Sequence, residues 1–185
     1  MARTESNMLA LGTRAPDFEL PDTVSGRTLS LSELQSETAT VIMFICNHCP
    51  FVIHIKDELA RLGREYQPNG IAFIAISAND VANFPQDGPD QMTQFAADNG
   101  FSFPYLYDAS QSVASAYQAA CTPDFYIFDS QLSCVYRGQL DDSRPGNETP
   151  VTGKDIRSAL DAILAGKPVD ENQKPSLGCN IKWKA

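Results

Sequence analysis

The chain reads as an α/β protein, on three observations. Residues 38–46, TATVIMFIC, and 70–77, GIAFIAIS, are continuous apolar, β-branched runs, the mark of strands covered on both faces. A segment of helical period lies between them, and strand, helix, strand in that order is a βαβ unit with parallel strands. Farther on, DFYIFD and SCVYRG are two short strand-like runs whose linker, Asp129 to Gln131, suits a hairpin.

The elements follow in order. RAPDFELPDTVSGRTLSLSEL alternates polar and apolar residues around Ser25-Gly26 and predicts an N-terminal β-hairpin. The first buried strand ends at Cys46, and Pro50 is suited to the first position of a helix. At about 100° per residue, Phe51, Val52, Ile55, Leu59, Leu62 and Tyr66 share one arc, and only Ile53 breaks it. Lys56, Asp57, Glu58, Arg61, Arg64 and Glu65 fall outside that arc, His54 near its charged edge, so these are expected at the surface. After the second buried strand comes a polar loop holding Asp80, Pro85, Asp87, Pro89 and Asp90, then a helix from about Pro89 to Asp98 and a short strand near Tyr105. SQSVASAYQAA reads as a weak helix, and a last helix over 153–164 stops at Gly166-Lys167-Pro168. Residues 169–185 have no clear period. They carry Leu177, Ile181 and the sole tryptophan, Trp183, so this tail is expected to fold back on the body. One domain over 1–185 is expected, with a core of about 12–165 and a C-terminal extension, 166–185.

Composition excludes several roles. With 14 Lys plus Arg against 23 Asp plus Glu, the net charge is -9, which argues against nucleic acid and anionic membrane surfaces as partners. No run approaches the roughly 20 apolar residues of a membrane span. The N-terminus lacks a signal-peptide pattern, so a cytoplasmic setting is expected. Neither Gly-x-x-x-x-Gly-Lys nor Gly-x-Gly-x-x-Gly occurs, and no cofactor is implied.

FICNHCPF, residues 44–51, carries the chemistry. A disulfide exchanger needs one cysteine that is a thiolate near neutral pH and a second close enough to attack the mixed disulfide. A strand feeding a helix supplies such a place, since the helix N-terminus favours negative charge. Cys46 and Cys49 sit at that junction, with Cys46 expected as nucleophile and Cys49 as resolving thiol. Asn47 and His48 lie between them in supporting positions. A partly protonated His48 would stabilise the Cys46 thiolate; the alternative is a solvated loop residue. A zinc site would need four ligands, usually as two close pairs. Cys121, Cys134 and Cys179 are far apart in sequence and only two histidines are present, so no metal is expected. Cys134 reads as a small buried hydrophobe.

APDFEL, the strand-then-CNHC junction, ISAND and CTPDFYIFD together resemble the thioredoxin superfamily, in the redoxin-type branch of thiol-disulfide oxidoreductases and peroxiredoxins. The resemblance spans about residues 12–140. It implies a thioredoxin-like fold with a central mixed β-sheet flanked by helices. It also implies a cis Thr122-Pro123 bond packed against the dithiol, where the Thr122 backbone would pair with a substrate strand. The chain departs from thioredoxins in having Ile45 before the first cysteine and no acid in residues 39–45. In peroxiredoxins a Thr or Ser stands three residues before the attacking cysteine; here that position is Cys46.

The leading expectation is a thiol-disulfide oxidoreductase cycling Cys46 and Cys49, with disulfide substrates and a redox partner protein. A thiol peroxidase with Cys49 attacking peroxide is the alternative, and a non-enzymatic binding module the third. Cys121, next to Thr122-Pro123, and Cys179, on the apolar tail, are further candidates for a third redox thiol.

Overall fold

The computed structural model describes residues 3–185. Strand β1 (Arg3–Glu5) leads to a hairpin of β2 (Glu19–Pro21) and β3 (Thr28–Ser30), paired antiparallel with Leu20 opposite Leu29. Helix α1 (Leu31–Leu34) starts on a capping box: the Ser30 side chain accepts from the Glu33 amide, and Glu33 accepts from the Ser30 amide.

The βαβ unit is β4 (Ala39–Phe44), α2 (Pro50–Tyr66) and β5 (Ile71–Ser77), with β4 and β5 parallel and Val41 beside Phe73. There follow α3 (Pro89–Asp98), β6 (Tyr105–Tyr107), α4 (Ser112–Ala116), β7 (Cys121–Thr122), β8 (Asp124–Asp129), β9 (Cys134–Gly138), α5 (Lys154–Leu164) and β10 (Leu177–Asn180). The main sheet runs β6-β5-β4-β8-β9 and is mixed: β4, β5 and β6 are parallel, while β8 and β9 are antiparallel to their neighbours.

Every residue of β4 is buried, as expected of a strand with both faces covered. Because alternate side chains point to opposite faces, Val41, Met43 and Ile45 pack into one core with α2 and α5. Ile42 and Phe44 pack into the other, with the hairpin and α4. Tyr117 anchors that second core, with ring contacts to Phe44, Tyr126 and Phe128.

Two surface expectations on α2 need correction. Glu58 is buried, because Arg157 of α5 reaches its carboxylate at 2.6 Å and Arg61 at 3.1 Å. His54 is half-buried, with Nε2 at 2.7 Å from the Ser143 hydroxyl.

The tail does fold back. Its strand β10 lies between β1 and β7 in a separate three-stranded sheet, with Cys179 opposite both Arg3 and Thr122. Two glycines make room for it. A Cβ on Gly178 would stand 2.0 Å from the Thr122 carbonyl oxygen, and one on Gly138, where φ is +140°, would stand 2.0 Å from that of Lys174. No helix among the described residues is long and apolar enough to cross a membrane.

Candidate functional site

Strand β4 ends at Phe44, but the Ile45 amide still bonds the Ile76 carbonyl at 3.0 Å, so Cys46 leaves the sheet at its carboxyl edge. The chain then crosses Asn47 and His48 and enters α2. Cys49 is the N-cap and Pro50 the first helical residue, where its missing N–H costs nothing.

Asp87 holds this crossing. It is fully buried and accepts the Asn47 amide at 2.8 Å, the His48 amide at 3.3 Å and the Asn79 side-chain amide at 2.8 Å, with His48 Nδ1 at 2.6 Å. The His48 ring stacks on Phe84 with centroids 5.6 Å apart. Beneath the loop, the buried Tyr105 hydroxyl donates to the Asn47 side-chain oxygen at 3.0 Å. Cys46, His48 and Asp87 place three possible metal-ligand atoms within 4.8 Å of one another. Zinc wants four ligands, and the imidazole and carboxylate are hydrogen-bonded to each other.

Thr122, the last residue of β7, lies against both thiols. The Thr122-Pro123 bond is cis. The Thr122 hydroxyl lies 3.4 Å from Cys46 Sγ, and its carbonyl oxygen 3.2 Å from Cys49 Sγ. A third thiol completes the group: Cys179 Sγ is 2.7 Å from Cys49 Sγ. None of the three cysteines is more than 3% exposed. The thiol of Cys121 instead meets the Pro123 carbonyl at 3.6 Å, and burial pushes it well up. Cys134 is buried in the second core, and burial lifts its thiol to about 11.

The two thiols of the pair are held unequally. The Cys49 thiol, not that of Cys46, is depressed, to about 5. Its thiolate accepts from the Cys46 thiol, and also from the Cys179 thiol and the Val52 amide in the first turn of α2; burial opposes. The Cys46 thiol is pushed well up, because it donates to Cys49, is buried, and faces the Asp87 carboxylate. The hydrogen bond from the Cys46 thiol is the largest cause; the start of α2 at Pro50 makes Cys49 the capping residue, so the Val52 amide of the first turn adds a smaller one. Cys179 is raised to about 12 by burial and by its hydrogen bond to Cys49.

Three contributors escaped the motif. Asp87 stood in the sequence as one loop acid among several. Asn79 lay in ISAND, where a polar residue at the end of a buried strand was the available signal. Asp124, also fully buried, sits opposite Phe44 on β8, and burial lifts its carboxyl to about 7. A buried acid is therefore present beside β4 although residues 39–45 hold none. It reaches the sheet from a strand about 80 residues away in sequence, so a search confined to β4 misses it.

A dithiol at the carboxyl edge of a mixed sheet, facing a cis X-Pro bond, places the protein in the redoxin branch of the thioredoxin superfamily. Residues 11–137 match the AhpC/TSA family, and the chain belongs to that family. A crystal structure of an uncharacterized conserved protein from Geobacillus kaustophilus is 59% identical, with a TM-score of 0.98, over 100% of this chain and 97% of that one. A hypothetical protein from Sinorhizobium meliloti is 49% identical, with a TM-score of 0.96, over 98% and 99%. Among characterised relatives, the thiol-disulfide oxidoreductase ResA of Geobacillus thermodenitrificans is 23% identical over 86% of this chain and 82% of its own.

Proposed function

We propose that this protein is a thiol-disulfide oxidoreductase whose working pair is Cys46 and Cys49. The observation that carries the reading is the convergence of both thiols on Thr122 of the cis bond. The relatedness to ResA supports the same activity. In the reducing direction, the Cys49 thiolate attacks one sulfur of a substrate disulfide, that S–S bond breaks, the other substrate sulfur leaves as a thiolate that takes up a proton, and a mixed disulfide remains. Cys46 then gives up its proton and attacks Cys49 Sγ, and the substrate leaves as a thiol. The pair ends as a disulfide, to be reduced by a partner of the redox-protein class. Asn47, His48 and Asp87 hold the loop that separates the two sulfurs. The cytoplasmic setting, supported by an odd number of cysteines, belongs to this proposal as well.

One observation favours a second reading. A depressed thiol at the head of a helix, followed by proline, suits Cys49 as a peroxide-attacking cysteine. Insulin reduction by dithiothreitol, run beside peroxide consumption, separates the two. Accelerated insulin precipitation that is lost in Cys46→Ser and Cys49→Ser supports the oxidoreductase. Peroxide turnover without insulin reduction replaces it with the peroxidase.

A further inference from the structure

The edge of Thr122 is occupied. If a substrate strand were to pair beside the cis bond, it would lie where β10 lies, since Cys179 stands opposite Thr122 and Asn180 opposite Cys121. The tail is seated there with little tolerance. Gly178 leaves no room for a side chain against the Thr122 carbonyl. Before β10, the Gln139 amide bonds the Lys174 carbonyl at 3.0 Å. After it, the Lys182 amide bonds the Asn79 side chain at 2.8 Å, and the Asp80 amide bonds the Lys182 carbonyl at 2.8 Å. The strand so held presents Cys179 Sγ at 2.7 Å from Cys49 Sγ, only a little beyond the roughly 2.05 Å of an S–S bond.

We infer that the C-terminal strand is an internal substrate, and that the enzyme passes its Cys46–Cys49 disulfide to Cys179. This deepens the proposed oxidoreductase activity and rests on it. The Cys179 thiolate attacks Cys49 Sγ of the oxidised pair. The Cys49–Cys179 bond forms, the Cys46–Cys49 bond breaks, and the electron pair leaves on Cys46. Cys46 takes up the proton that Cys179 released. One thiol and one disulfide enter and one thiol and one disulfide leave, so no external oxidant is needed. The chemistry also runs in a favourable order. Burial holds the Cys179 thiol up throughout; the Cys49 thiolate adds its hydrogen bond and its charge, and these two influences, though not burial, are gone once Cys49 is bonded to Cys46. The product pins β10 across Thr122 and closes the edge to outside strands. Reduction of the Cys49–Cys179 bond then becomes the step that reopens the site.

Disulfide mapping tests this. The full-length protein is equilibrated in glutathione redox buffers, quenched in acid, alkylated under denaturing conditions and digested with trypsin. Cleavage leaves Cys46 and Cys49 together on residues 28–56 and Cys179 on residues 158–182. The expected product is a cross-link between these two peptides with Cys46 alkylated, growing as the buffer becomes more oxidising. Gly178→Ala, which pushes β10 off Thr122, should lose that cross-link and keep the bond within peptide 28–56. Oxidised wild-type protein that carries only the bond within 28–56, with Cys179 fully alkylated, overturns the inference and leaves the parent reading intact. Oxidised Cys179→Ser that forms no Cys46–Cys49 bond overturns the parent reading itself.

Discussion

His48 Nδ1 and the Asp87 carboxylate stand 2.6 Å apart, the acid fully buried and the ring pressed on Phe84. The imidazole is thus a partner for the charge that faces Cys46, as well as a neighbour of the thiol. Three further donors on the same carboxylate come from Asn47, His48 and Asn79, so one buried acid sets the shape of the whole crossing.

Removing the ring leaves Asp87 without that partner beside Cys46. After the hydrogen bond to Cys49 and burial, Asp87 is the next influence holding the Cys46 thiol protonated. The unpaired charge then also repels the thiolate of the reduced pair, so His48→Ala should favour the disulfide and make the potential more negative by some tens of millivolts, where about 30 mV is ~1.4 kcal/mol for two electrons. Asp87→Asn should move it the other way. Glutathione titration of both variants reads the potential, and shifts of the same sign would refute the pairing.

The thiolate of the reduced protein should titrate at about 5 and belong to Cys49. Cys46→Ala removes the leading hydrogen-bond donor, so the midpoint should rise. Ultraviolet thiolate absorbance against pH follows both. The sign for stability is set by a folded value below the ordinary one near 9. Between those values only the unfolded chain binds the proton, so stability is complete above 9 and is lost as pH falls toward 5. Urea denaturation of the reduced protein should show this slope, and Cys49→Ser should lack it.

Asp124 has the opposite slope. Its carboxyl is lifted from 3.8 to about 7 by burial, with one oxygen left without a partner. The fold keeps that proton after the unfolded chain has lost it. The stabilisation is full below 3.8 and is lost as pH rises through 7. In the oxidised protein, Asp124→Asn should flatten the decline between those values. An unchanged pH profile in the variant would show that Asp124 ionises without cost.

Gly138→Ala should loosen the tail at its root. The added Cβ meets the Lys174 carbonyl at 2.0 Å on a backbone with φ of +140°. Gly146, at φ of +88°, has nothing within 4 Å of such an atom. Overpacking typically costs about 1–3 kcal/mol, and the backbone strain adds to it. Thermal or urea denaturation should rank Gly138→Ala well below Gly146→Ala, and equal midpoints would contradict the close approach.

What the chain reveals by itself is what depends on near neighbours. The buried runs at 38–46 and 70–77, the arc from Phe51 to Tyr66 and the proline at position 50 recur at strand or helix spacing, so β4, α2 and β5 were readable from local pattern. Cys46 and Cys49 are visible for the same reason, with only two residues between them at a strand–helix junction. Even the burial of the tail followed from Leu177, Ile181 and Trp183, although only Ile181 turns fully inward and Trp183 stays 46% exposed. Tertiary structure decided everything that joins distant segments. The carboxylate that holds the Asn47–His48 crossing belongs to Asp87, 38 positions beyond Cys49. Glu58 is buried only because α5 brings Arg157. The third thiol lies 130 residues beyond Cys49 in the chain, yet 2.7 Å from it in space. That contact exists because Gly178 lets one backbone lie against another, a property of two surfaces meeting that neither segment carries alone.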